Sequence, residues 1–320
     1  MPQETGMALT RVLRQQSWPI TGLLAVLLLA GCLQAGPQAS RLGAQRYFQG
    51  KALALAVAAE NGDIRRINRL MQEEGVDPDT VFSTGGVPLL AWPLRAERLD
   101  SLRAMLENGA DPNARRTDQE INPFTGKPEP LHHNNAMVFA AAMEDPRYLE
   151  LLLDHGGDPN TLNSNDETLP LQALLSQNQW QNIQLLIERG ADINASVAGL
   201  TDTLVVWYSE RGAFDRVWWL LQHGADPTVR DRMPEDLPDQ GHMPAVEYIY
   251  WRPTLPAQIP WQRQCQQWLI DRNIPRPPMR SALRNDRRRA GLPYENEDQI
   301  PLLAEFPATA TPPVTDGQSP

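Results

Sequence analysis

Few side chains in this 320-residue chain are placed for chemistry. His132-His133 is the one pairing of imidazoles, with Glu129 just upstream, and imidazole with carboxylate is a metal-ligating combination. Pro128 and Pro130 bracket Glu129 and keep it off any helix face shared with the histidines, so no metal is expected there. No Gly-x-Ser-x-Gly elbow, phosphate-binding glycine loop, His-Glu-x-x-His or Cys-x-x-Cys occurs. Neither an enzyme nor a cofactor is expected. Asn194-Ala195-Ser196 fits an N-glycosylation sequon, but it lies in a recurring turn and reads as structural. Of the two cysteines, Cys32 closes a segment built like an export signal: Arg11 and Arg14, an apolar run from Ile20 to Leu28, then Leu29-Ala30-Gly31-Cys32.

The elements that position everything else are repeats. Gly75-Val76-Asp77-Pro78-Asp79, Gly109-Ala110-Asp111-Pro112-Asn113, Gly156-Gly157-Asp158-Pro159-Asn160, Gly190-Ala191-Asp192-Ile193-Asn194 and Gly224-Ala225-Asp226-Pro227-Thr228 have leading glycines 34, 47, 34 and 34 residues apart. A fixed period of this size predicts a stacked solenoid. Before each glycine an apolar stretch has helical spacing, as in Ile183, Leu186 and Ile187. The glycine supplies a left-handed helix end, and Asp-Pro-Asn favours a turn. A second short apolar helix precedes it, for example Met137-Val138-Phe139-Ala140-Ala141 or Leu204-Val205-Val206-Trp207-Tyr208. Two helices and a turn make one unit.

These phrases resemble the ankyrin repeat across residues 51–229, so the expected fold is an all-α ankyrin-repeat solenoid of five recognisable units with degenerate caps. The tetratricopeptide repeat shares the period but lacks the Gly-Ala-Asp-Pro-Asn turn. The Pro-Leu start of the first helix survives only in copies two and four, and Pro93 inside the second copy's first helix predicts a distortion there. Tyr47 and Phe48 are expected to begin an N-terminal cap. A sixth, degenerate unit is expected around Tyr248, Ile249, Trp268, Leu269 and Ile270.

The resemblance implies binding of another protein through the bends and inner helices. Carried onto this chain, the bends are Glu60, Asn61, Leu94, Arg95, Ala142, Met143, Ser176, Gln177, Glu210 and Arg211, with Leu94 and Met143 as an apolar centre. Asn108, His155, Arg189 and His223, beside the turns, extend that strip. Trp218 stands where other copies place Asn68, Arg103, Glu150 and Gln184; it is either packed under the C-terminal extension or an exposed anchor. The 47-residue spacing adds about 13 residues around Thr117 to Pro130, a loop long enough either to function or to be a tolerated insertion.

Leu29-Ala30-Gly31-Cys32 resembles the lipobox of bacterial lipoproteins, which implies cleavage before Cys32 and lipidation of its sulfur. The apolar run, about 12 residues even if carried to Gly31, is short of the roughly 20 that span a bilayer. Leu33, where the family's inner-membrane retention signal has Asp, favours the outer membrane facing the periplasm. The expected order is then signal peptide 1–31, tether 32–46, repeats 47–229, degenerate repeat 230–274 and a partly disordered Pro/Arg-rich tail 275–320. Without residues 1–31 the chain has 27 basic and 38 acidic residues, a formal charge of −11, which disfavours nucleic acid and favours basic partners. Address and fold together suggest an immunity protein against a secreted antibacterial effector such as a phospholipase; an envelope scaffold for a periplasmic enzyme is the alternative. Cys32→Ala should abolish lipid labelling and release the protein from the membrane fraction. Unchanged partitioning, with no lipid on the wild type, would refute the anchor.

Overall fold

The computed structural model describes residues 43–83, 85–196, 203–230 and 242–303. The expected signal peptide 1–31, Cys32 and the stretch from Pro307 to Pro320 lie outside the described residues. Thirteen α-helices, five short 3₁₀ or π turns and one hairpin are described. They run α1 Gly50–Asn61, α2 Ile64–Asn68, α3 Trp92–Arg95, α4 Leu99–Glu107, β1 Thr117–Ile121, β2 Pro128–His132, α5 Ala136–Ala141 and α6 Arg147–Asp154. Then follow α7 Leu169–Leu175, α8 Trp180–Glu188, α9 Leu204–Glu210, α10 Phe214–Gln222, α11 Pro244–Trp251, α12 Ile259–Asp271 and α13 Ser281–Arg289. Apart from the hairpin the architecture is helical, each unit being a first helix, a bend, a second helix and a projecting turn.

Local chemistry sets the helix ends. Asp63, Asn135 and Thr168 accept the backbone N–H groups of Arg66, Val138 and Leu171 at 3.0, 3.2 and 3.4 Å, satisfying donors that the first turn leaves open. The second helices end at Gly109, Gly156, Gly190 and Gly224, all with φ near +90°, a conformation that a side chain resists. Leu102, Leu149, Ile183 and Val217, each seven residues before these glycines, are fully buried, as are Met105, Leu152, Leu186 and Leu220 four before. In the first unit the same columns are Ile67 and Leu70, eight and five before Gly75. A π-helical turn over Arg69–Glu73 absorbs the extra residue.

The projecting turns are joined by a side-chain ladder. Asn113 donates to the Gly156 carbonyl at 2.9 Å and accepts the Asp158 N–H at 2.8 Å. Asn160 does the same to Gly190 and Asp192 (3.0 and 2.9 Å), and Asn194 to Gly224 and Asp226 (3.3 and 2.7 Å). Within each turn the aspartate accepts the N–H two residues on, as Asp158 does from Asn160 at 2.8 Å. Asp79 takes the asparagine's place in the first unit. It accepts the Asp111 N–H with both oxygens, at 2.9 and 3.0 Å, but ionised it has no hydrogen for a carbonyl. Burial, with Asp77 and Asp111 nearby, pushes its pKa above the usual aspartate value against the opposing effect of the Asp111 N–H.

The second unit is irregular as Pro93 predicts: a 3₁₀ turn over Leu89–Ala91 precedes the single turn of α3. Tyr47 and Phe48 pack on Trp92, at ring distances of 5.5 and 5.2 Å, and close the N-terminal end. At the other end α11 and α12 form the degenerate sixth unit. Thr254 donates to the Gly212 carbonyl at 2.9 Å, and a Cβ on Gly212, whose φ is +69°, would lie 3.0 Å from that hydroxyl. Within the expected Pro/Arg-rich tail, residues 275–303 are folded. Met279, Leu283 and Ile300 are buried in the same apolar cluster as Ile249, Cys265 and Leu269, because α13 folds back over α11. The Cys265 thiol is buried and its pKa is driven far up, leaving an inert apolar side chain.

Two predictions follow from stacking. Leu220→Ala should cost on the order of 2–5 kcal/mol, whereas exposed Gln222→Ala should cost little, as read by thermal and urea unfolding. Asp79→Asn should complete the first rung and stabilise by about 1 kcal/mol at neutral pH. Since the folded pKa of Asp79 is raised, its ionisation removes stability as pH rises through the window above the ordinary aspartate value. The gain from Asn should therefore shrink on acidification through that window; a gain that grows there would refute the assignment.

Candidate protein-binding surface

The first helices present one row of partly exposed side chains, at positions their helical period repeats. From the N-terminal end these are Val57 and Asn61, Arg95, Phe139 with Ala142 and Met143, Leu175 with Ser176 and Gln177, Trp207 with Glu210 and Arg211, and Tyr248. Leu175 is 56% exposed, unusual for a leucine in a packed array. The Arg211 guanidinium lies 3.7 Å from the Trp207 ring and donates to Glu210 at 2.9 Å, so the indole carries a charged cover. Arg95 lies over Tyr47 and Trp92, 5.4 and 5.0 Å from their rings.

Two expected bend residues are corrected. Glu60 is only 5% exposed and accepts the Trp92 indole N–H at 2.6 Å, while its carbonyl accepts from Arg98 at 3.0 Å. Leu94 is 3% exposed, because the 3₁₀ turn ahead of α3 changes the helical phase and turns Leu94 inward and Arg95 outward. The apolar centre thus falls on α5, α7 and α9 rather than on Leu94. In the fourth unit Gln177 and Asn178 hold φ of 62° and 58°, and Asn178 accepts the Tyr208 hydroxyl at 2.6 Å. Burial raises the Tyr208 pKa to about 12, so this hydroxyl stays a donor.

Asn108, His155, Arg189 and His223 ride on the ends of the second helices and are not drawn together with the bends. The Asn108 amide donates to Asn68 and to the Ala104 carbonyl, at 2.8 and 2.6 Å. His155 and His223 bond the carbonyls of Leu151 and Trp219 at 2.9 and 2.7 Å, and His223 stacks on Trp219 at 3.6 Å. Arg189 pairs with Asp154 of the previous unit at 2.7 Å. Trp218 is half buried against the C-terminal apolar cluster, so part of its ring is committed to packing.

The insertion between units two and three is the hairpin β1–β2, in register from Thr117 opposite His132 to Ile121 opposite Pro128. His132 bonds Thr117 at 3.0 Å and His133 bonds Asp118 at 2.9 Å. The His133 ring lies against Gly86, where a Cβ would come within 2.2 Å of it. Among the described residues no cluster of metal-ligating side chains forms. Pro128 and Pro130 oppose Ile121 and Gln119 at pairs that do not exchange hydrogen bonds, so the outer edge of β2 lacks those two donors and resists strand addition. Phe124 at the tip is 91% exposed and Ile121 beside it 61%. Sequence reasoning passed over Phe124, Leu175 and Trp207. Phe139, Gln172 and Trp207, each the fourth residue of its helix, are the equivalent positions, and that alignment marks the tryptophan.

No protein-family profile matches the chain. Over 199 residues it is 30% identical to Protein PhlB of Serratia liquefaciens, a stretch covering 61% of this chain and 76% of that protein. The chain is an ankyrin-repeat protein of the PhlB family. It is also 27% identical over 210 residues to ankyrin repeat and SOCS box protein 6 of Homo sapiens, covering 57% of this chain but only 45% of the human protein. Among solved structures, the ankyrin repeat domain of Bcl-3 aligns with a TM-score of 0.48 at 22% identity, covering 67% of this chain and 85% of that one. The ankyrin repeat protein EF0377 aligns at 0.46 and 21%, covering 61% and 89%. Ankyrin-repeat proteins are typically binders of proteins and not enzymes. Among the described residues no helix is long and apolar enough to cross a membrane.

Proposed function

We propose that this ankyrin-repeat protein is tethered at the envelope membrane through acylated Cys32, faces the periplasm, and captures a secreted antibacterial effector, such as a phospholipase, as its immunity partner. The observation that carries the binding reading is the row of partly exposed apolar side chains on the first helices, Phe139, Met143, Leu175 and Trp207, bordered by Glu210 and Arg211. Aromatic and apolar side chains of this kind, rimmed by charge, are what protein interfaces bury. Residues 43–230 carry sixteen Lys and Arg against twenty-six Asp and Glu, so the row lies in an acidic array that attracts a basic partner. The tether rests on Leu29-Ala30-Gly31-Cys32. An inhibitor held at the membrane that an effector attacks meets it where it acts.

The test is capture of the partner from the native envelope, followed by assay of the captured protein. Trp207→Asp and Met143→Asp should each weaken capture by at least tenfold without changing the helical circular-dichroism signal, and Arg95→Glu should weaken it less. Phe124→Asp asks separately whether the hairpin tip takes part. A partner whose activity is suppressed by the array supports immunity; one whose activity is maintained or raised supports the scaffold. Capture untouched by Trp207→Asp and Met143→Asp would move the interface off the first helices.

A further inference from the structure

The C-terminal cap holds a pocket with a free volume of about 100 Å³, walled by Trp251, Ile259, Ile300 and Leu302 and lined also by Arg276 and Arg287. Arg276 lies 4.8 Å from the Trp251 ring centre and Arg287 5.7 Å from it. Three neighbouring arginines each hold a carboxylate: Arg252 pairs with Asp286 at 2.9 Å, Arg280 with Glu247, and Arg284 with Glu297. Among the described residues Arg276 and Arg287 bond backbone carbonyls only. Arg276 donates to Ile300 and Glu297 at 2.7 and 3.0 Å, and Arg287 to Pro293 and Trp251 at 2.7 and 3.3 Å. Among the described residues no carboxylate forms an ion pair with either.

A guanidinium has five N–H donors, so each of these two keeps donors beyond the carbonyl bonds. Two like charges beside apolar walls are costly unless an anion joins them. Burial first and Arg276 second lower the Arg287 pKa to about 10. The surrounding lobe, residues 244–303, has nine basic against six acidic residues, the reverse of the repeats. Planar guanidinium groups match a carboxylate's two oxygens, and the other polar side chains of the lining, Tyr250, Arg252, Thr254, Gln262 and Gln266, already donate to Ile274, Asp286, Gly212 and the carbonyls of Ile249 and Arg252, so the further donors a phosphate needs are engaged within the protein.

We propose that this pocket binds a small carboxylate with a short apolar body, its head between Arg276 and Arg287 and its body against the Trp251 indole. Hexanoate is the probe, titrated calorimetrically into the full chain beside 1-hexanol and inorganic phosphate. Hexanoate should bind, with hexanol and phosphate each at least tenfold weaker. Arg287→Gln should weaken hexanoate at least tenfold. Ile259→Trp, which fills the pocket and leaves both arginines in place, should abolish binding and keeps the test decisive if Arg287→Gln fails to fold. Equal binding of hexanol or of phosphate, or hexanoate binding that survives Ile259→Trp, would overturn the proposal.

Discussion

Everything in this molecule depends on each repeat finding in its neighbour what it cannot supply itself. A two-helix unit has an apolar face too wide to bury alone, and a projecting turn whose Gly carbonyl and Asp N–H are left unpaired. The neighbouring unit covers the first with the buried columns of its second helix and pairs the second through one asparagine, whose side-chain amide acts as an extra peptide group between turns. Because that amide must both donate and accept, the spacing of the asparagines fixes the register of the stack as strictly as a strand pairing would. Polar clamps support the same contact inside: Ser101 donates to the Ala59 carbonyl at 2.8 Å, and Asn182 to those of Ala141 and Met143 at 3.1 and 2.7 Å. Both are buried, and both tie a second helix to the end of the previous first helix.

An array held together this way has to end somewhere, and the two ends are handled differently. The N-terminal end is closed by aromatic packing of Tyr47 and Phe48 on Trp92. The C-terminal end is closed by arginines, which serve as polar cement: they reach the carbonyls at the end of α11 and in the segment after α13, while their stems and planes lie on Trp251 and Tyr248. Gln262 and Gln266, both buried, satisfy further carbonyls at the same helix end. The cap is therefore basic and the repeats acidic, so the protein carries a charge asymmetry along its axis.

The stacking also explains where binding surface is available. Second helices spend their apolar side chains on the columns, and the turns spend their polar groups on the ladder. The first helices have residues left over, and in units three to five these include Phe139, Met143, Leu175 and Trp207. The hairpin adds a second outlet, a projection whose edge is blocked by proline and whose tip presents Phe124.

The sequence by itself determined the repeat, its helix–turn–helix content, the finger turns and the distortion at Pro93, because glycine, proline and asparagine act on their own backbone within a few residues. It also placed the bends to within a residue. It could not decide which bend residue faces outward in the second unit, since the 3₁₀ turn before α3 sets the phase that buries Leu94 and exposes Arg95. Nor could it show that Glu60 is a partner for Trp92, thirty-two residues away, or that residues 275–303 are structural, since a run of arginine and proline reads as solvated until the carbonyls it bonds are brought to it. Contacts between units are made by geometry that one unit's sequence does not contain, and those contacts assign each exposed residue to packing or to surface.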